Sequence, residues 1–119
     1  VLVVDDYPDS AEATAQLSEL FGYTARAADS CGAARAAVAA GFAPDLVVLD
    51  LVLPDGDGCA LAAELCGALP RRPVLVAVSG RPGQEERCRA AGFDHVLAKP
   101  AAPDTLRELL DRYAAGGTG

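Results

Sequence analysis

Apolar runs recur along the chain, and four of them end in a polar residue. Residues 1–4 lead into Asp5-Asp6, residues 46–49 into Asp50, residues 74–78 into Ser79, and residues 96–98 into Lys99-Pro100. Each run is short, bounded by turn residues and rich in Val and Leu, which predicts buried strands. A fifth strand is predicted over residues 23–28, weaker because Arg26 interrupts it.

Between the strands the period changes. Asp9-Ser10-Ala11-Glu12 has the spacing of a capping box, and Ala13, Leu17, Leu20 and Phe21 then form an apolar stripe that Gly22 closes. Asp29-Ser30 caps a second helix with Ala34 and Val38 inward, ending at Gly41. A third carries Leu61, Leu65 and Leu69 on one face and stops at Pro70. A short fourth covers residues 84–91, before Gly92. Pro103-Asp104 opens the last, whose Leu106, Leu109, Leu110 and Tyr113 follow the i, i+3, i+4, i+7 template. The segment 53–58, Leu-Pro-Asp-Gly-Asp-Gly, reads as a turn.

Five strand–helix units in register predict one α/β domain over residues 1–115, with 116–119 as a disordered tail or linker. Strands apolar throughout, rather than alternating, imply a parallel sheet covered by helices on both faces. Ligands of such sheets bind beyond the carboxyl ends of the strands. Asp5, Asp6, Asp50, Ser79 and Lys99 all fall on that edge.

Composition narrows the partners. The 119 residues carry a net charge of −7, which argues against direct nucleic-acid binding or adsorption to an anionic membrane. No apolar stretch approaches the roughly 18 residues of a membrane span. Cys31, Cys59, Cys66 and Cys88 lack metal-ligand spacing and sit among Ala and Leu, as small hydrophobes in a reducing, cytoplasmic setting do. The chain starts inside a strand without an initiator Met, so it is expected to be a piece of something longer.

The strand-end set points to a metal ion and a phosphoryl group. Two carboxylates about 4 Å apart repel by about 4 kcal/mol at an effective dielectric near 20, so a third makes a cation necessary. Oxygen donors of this kind suit Mg²⁺, which also contacts phosphate. Asp50 taken alone is either a solvated turn residue or a nucleophile able to form an aspartyl-phosphate. Ser79 alone is equally a turn residue or a functional hydroxyl. Lys99 at a buried strand end needs an anionic partner, and phosphate is a suitable one.

Together, Asp5-Asp6, Asp50, Ser79 and Lys99-Pro100 resemble the response-regulator receiver domain of two-component signalling. So do the segments 50–58 and 91–100, and the resemblance covers essentially the whole chain. It implies a doubly wound (βα)5, flavodoxin-like fold with a five-stranded parallel sheet in the order 2-1-3-4-5. It further implies that Asp50 is the phosphoacceptor, and that Asp6 and Asp50 hold Mg²⁺ with the backbone carbonyl of Val52. Asp5 would act through a water on the metal, while Ser79 and Lys99 would each contact a phosphoryl oxygen. The implied donor is a phosphohistidine on a sensor histidine kinase or phosphotransfer domain. The domain would catalyse only its own phosphorylation and slow dephosphorylation.

One position departs from the family pattern. An aromatic residue often stands three before the Lys, where this chain has Val96. Phosphoryl chemistry is therefore expected intact and the readout muted on the face of the fourth helix and last strand. His95 beside it is expected to point to solvent. Two other readings remain: a docking module that never turns over phosphate, which Val96 alone favours, and an aspartyl-nucleophile phosphohydrolase. Against the latter, Val52 stands where such enzymes place a second acid. The segment 91–95, Ala-Gly-Phe-Asp-His, resembles receivers at the C-terminus of hybrid sensor kinases, and the Ala-, Arg- and Gly-heavy composition suits a bacterium with a GC-rich genome.

Overall fold

The apolar runs become the floor of a sheet. All three residues of β1 (Leu2–Val4) and all five of β3 (Leu46–Asp50) are buried. The computed structural model of the chain describes residues 1–79, 83, 85–98 and 103–117. The remaining elements are α1 (Pro8–Leu20), β2 (Arg26–Ala28), α2 (Cys31–Ala39), β4 (Val52–Leu53), β5 (Gly56–Asp57), α3 (Gly58–Ala68), β6 (Val74–Ser79), α4 (Glu85–Ala90), β7 (His95–Ala98) and α5 (Pro103–Gly117). Every neighbour in the five-stranded sheet is parallel, in the order β2-β1-β3-β6-β7. With the separate β4–β5 ribbon set aside, this is the doubly wound 2-1-3-4-5 order that the sequence leads one to expect.

Alternation along β3 feeds two cores. Val47 and Leu49 pack with Leu61 and Leu65 of α3 and Ala34 of α2 on one face. Leu46 and Val48 pack with Ala11 and Ala15 of α1 and Leu106 and Leu110 of α5 on the other. Leu61 and Leu65 are almost wholly buried, as their stripe predicts, and truncating either to Ala would cost about 2–5 kcal/mol.

Helix α1 keeps half of its expected stripe, since Leu17 and Phe21 pack against the core while Ala13 and Leu20 do not. Ala11, Ala15 and Ser18 are the buried positions, whereas Ala13 is exposed and Leu20 is 81% exposed. Small residues let the helix lie close to the sheet, and Ser18 is tolerated inside because its hydroxyl donates to the Thr14 carbonyl at 2.9 Å. Asp9 is not the cap either. Tyr7 occupies that position without a side-chain bond, and Pro8 starts the helix with its φ already set.

Other boundaries shift less. β2 is only three residues, and Tyr23 and Ala25 before it pack against the α1–α5 core. Ser30 caps α2 as expected, accepting from Ala33 N–H at 3.1 Å, and Gly22 and Gly41 take positive φ where α1 and α2 stop. The turn over residues 53–58 contains the antiparallel β4–β5 ribbon, Val52 opposite Asp57 and Leu53 opposite Gly56. His95 begins β7 and is partly buried. Helix α5 continues through Gly117, past residue 115, while Thr118, Gly119 and Gln84 lie outside the described residues. The four cysteines lie outside any disulfide, and no helix among the described residues is long and apolar enough to cross a membrane.

Candidate functional site

Parallel register assembles the site. Val4 of β1 lies opposite Leu49 of β3, so the residues that follow, Asp5 and Asp50, emerge side by side. On the other flank Asp50 is opposite Val78 of β6, which puts Ser79 one step beyond. Ser79 in turn faces Ala98, the last residue of β7. Lys99 and Pro100, which follow, lie outside the described residues.

Asp5, Asp6 and Asp50 come together. One carboxylate oxygen from each can be chosen so that all lie within 4.8 Å of one another. Burial is graded across the set: Asp50 is 7% exposed, Asp5 partly buried and Asp6 exposed. Ser79 is also buried, at 8% exposure. Three hard oxygen donors converging at the edge of an apolar sheet could hold a divalent metal, and mutual repulsion would oppose the arrangement without one. Asp5 is fixed at both its ends. Its N–H donates to the Ala28 carbonyl at 3.0 Å, and its carboxylate accepts from Tyr7 N–H at 3.0 Å.

The chain after Asp50 is held tightly. Gly58 donates its N–H to the Leu51 carbonyl at 3.0 Å. A Cβ at Gly58 would overlap the Asp50 carbonyl oxygen and lie 2.9 Å from Leu51 Cα, so only glycine lets α3 start against the backbone of Asp50. Val52 opens β4 two residues after Asp50. Asp57 caps α3, accepting from Cys59 N–H at 3.2 Å, and pairs with Arg87 of α4 at 3.0 Å. Asp55, at the ribbon's turn, accepts from Cys31 N–H at 2.8 Å and Gly32 N–H at 3.0 Å. Those amides, Gly32 first, hold the Asp55 carboxyl below its usual range.

Asp55, Asp57 and Gly58 were legible only as turn residues. The signal that separates them is position, since Asp directly before a helix is a cap. Burial pushes the Cys31 and Cys59 thiols up, with Asp55 adding to the effect at Cys31 and Asp57 at Cys59. Val96 packs against the α2–α3 core, opposite Ala77. A cavity of about 480 Å³ opens on the α1–α5 side, with Asp5, Tyr7 and Asp50 in its wall and Val48 and Val78 below them.

Known proteins resemble this chain in sequence and fold. The family model for the response regulator receiver domain matches residues 1–111. The virulence sensor protein BvgS of Bordetella bronchiseptica is 35% identical over 97% of this chain, which covers 10% of that protein. The transcriptional regulatory protein KdpE of Mycobacterium tuberculosis is 38% identical over 97% of the chain and 49% of its own length. The chain thus spans between a tenth and a half of these relatives. A crystal structure of a response regulator protein from Burkholderia pseudomallei, with a phosphorylated aspartic acid, calcium ion and citrate, aligns at TM-score 0.77 and 26% identity, covering 97% of this chain and 72% of that one. The doubly wound sheet, the acidic edge and the match over nearly the whole length agree: the chain belongs to the response regulator receiver domain family of two-component signalling.

Proposed function

We propose that Asp50 is a phosphoacceptor, loaded from a phosphohistidine on a sensor histidine kinase or phosphotransfer domain. The observation that carries this reading is the graded acidic cluster, in which the one buried carboxylate belongs to the strand end between the other two polar ends. A carboxylate oxygen of Asp50 attacks phosphorus, the P–N bond breaks, and the imidazole leaves with its bonding electron pair. The product is an acyl phosphate. Water attack on that phosphorus later restores the carboxylate and releases inorganic phosphate. Burial of Asp50 limits the approach of water and slows this reset.

Asp5, Asp6, Asp50 and the Val52 carbonyl would hold Mg²⁺. When bound, the ion supplies neutralising charge to the oxygens of the transferring group. The phosphorylated aspartate and calcium of the Burkholderia relative support a carboxylate site of this type. The Ser79 hydroxyl donates to one phosphoryl oxygen, and Lys99 pairs with another, which is charge recognition rather than bond chemistry. The domain is therefore a signalling element that catalyses only its own modification, on the cytoplasmic side. The match to BvgS favours a parent protein in which a sensor kinase carries this receiver.

The test is intact-mass spectrometry after incubation with a small phosphoramidate. The wild type gains one phosphoryl group in Mg²⁺ and none in excess chelator. Equal gain with and without Mg²⁺ would contradict the assignment. Val96 favours a second reading, a docking module without turnover, and that reading predicts no gain under either condition.

A further inference from the structure

The β4–β5 ribbon is anchored at a point remote from Asp50. Its turn places Asp55 against the start of α2, where the carboxylate takes both the Cys31 and Gly32 N–H groups. The next amide, Ala33 N–H, goes to the Ser30 hydroxyl, and Ala34 N–H goes to the Ser30 carbonyl at 3.1 Å. Every donor of the helix's first turn is thereby satisfied, two of them by a residue 23 and 24 positions away. The fit is close. A Cβ at Gly56 would lie 3.0 Å from Cys31 Sγ, and one at Gly32 would lie 3.4 Å from Asp55 Oδ2.

The same region closes a circuit. Val52 pairs with Asp57 at the ribbon's near end, and Asp55 ties its far end to α2. Ser30 caps α2 two residues after Ala28, whose carbonyl accepts from Asp5 N–H. The backbone of Val52 and the backbone of Asp5 are thus joined through two short chain segments, 52–55 and 28–31, by the Asp55 bonds to α2 and the Asp5–Ala28 bond. The ribbon's other attachments among the described residues are buried Leu53, the Gly58–Leu51 bond at its base and the Asp57–Arg87 pair; of these polar links none reaches α2.

We propose that Asp55 is a positioning residue for the divalent-cation site, holding the Val52 carbonyl in register with Asp5 and Asp6 through the start of α2. The inference rests on the metal set named under the proposed function. Groups of this kind, which touch the ligands' supports rather than the ion, commonly change metal affinity by about 10–100-fold.

Calorimetric Mg²⁺ titration of the unphosphorylated protein tests it, beside thermal melting of the same samples. Asp55→Ala raises the Mg²⁺ Kd about tenfold. Asp55→Asn raises it less, since the amide oxygen still accepts one of the two N–H groups. Ser30→Ala removes the other cap of α2 but not the tether, so it lowers the melting temperature and leaves the Kd close to wild type. A wild-type Kd in both Asp55 variants overturns the proposal, as does an equal rise in Ser30→Ala, which would make the effect one of helix stability. Should Asp55→Ala fail to fold, Asp55→Asn decides by the same criterion. Wild-type protein without saturable binding overturns the metal assignment itself and the tether with it, an outcome distinct from loss of the tether alone.

Discussion

The Arg87 guanidinium of α4 sits 3.0 Å from the carboxylate of Asp57, the residue that caps α3. The two helices flanking Ser79's strand are therefore linked across the start of the helix that abuts Asp50. Both side chains are about half exposed, so the ion pair contributes little by itself, about 0–1 kcal/mol. Asp57 does more because it also caps. Asp57→Ala is expected to cost about 1 kcal/mol beyond Arg87→Ala in urea denaturation. Equal losses would show that the bond to Cys59 N–H contributes nothing.

Two glycines of α3 are expected to respond oppositely to the same change. Gly58→Ala drives a methyl into the Asp50 backbone and is predicted to destabilise by about 1–3 kcal/mol, with slower loading of Asp50. Gly67 meets nothing within 4 Å, so Gly67→Ala should gain up to about 1 kcal/mol from helix propensity. Denaturation midpoints of the two variants decide it, and a neutral Gly58→Ala would refute the close approach.

Acid stability should report Asp55 and Glu64. Amides of Gly32 and Cys31 lower the Asp55 carboxyl, and Arg35, bonded to Glu64 at 2.6 and 3.0 Å, lowers Glu64. Both folded values lie below the unfolded ones, so their contribution is present above the ordinary values of 3.8 and 4.5 and is lost as pH falls beneath them. Melting curves from about pH 5 down to about pH 3 should fall less steeply for Asp55→Asn than for wild type. Parallel curves would mean that the α2 amides do not favour the charged form.

Much of this was legible before the structure. Residues 1–4 and 46–49 are apolar without interruption, which few structures besides a covered parallel sheet accommodate, and their terminal acids then have to meet. The phase of α1 was only partly legible, although Leu17 and Phe21 do pack against the core. Leu17 and Leu20 outrank Ala11, Ala15 and Ser18 in hydrophobicity, yet close approach to the sheet selects small side chains and leaves Leu20 in solvent. The jobs of Asp55 and Asp57 were hidden for a related reason. A turn-rich segment advertises its bends, whereas its partners at Cys31, Gly32 and Arg87 are distant in sequence.

Val96 predicts a muted response on one face. It is partly buried against the core opposite Ala77, and it has no ring to reorient in response to the proposed engagement of a phosphoryl group by Ser79. NMR shifts on adding a phosphoryl mimic should be largest beside Asp50 and small across α4 and β7. Shifts across α4 and β7 as large as those beside Asp50 would contradict this.

The central claim is that Asp50 receives the phosphoryl group. Peptide mapping by mass spectrometry, after incubation with a phosphohistidine donor domain and Mg²⁺, tests it most directly. The account predicts one phosphoryl group on the wild-type peptide containing Asp50 and none on Asp50→Ala. An unmodified wild type, or an undiminished adduct in Asp50→Ala, would contradict it.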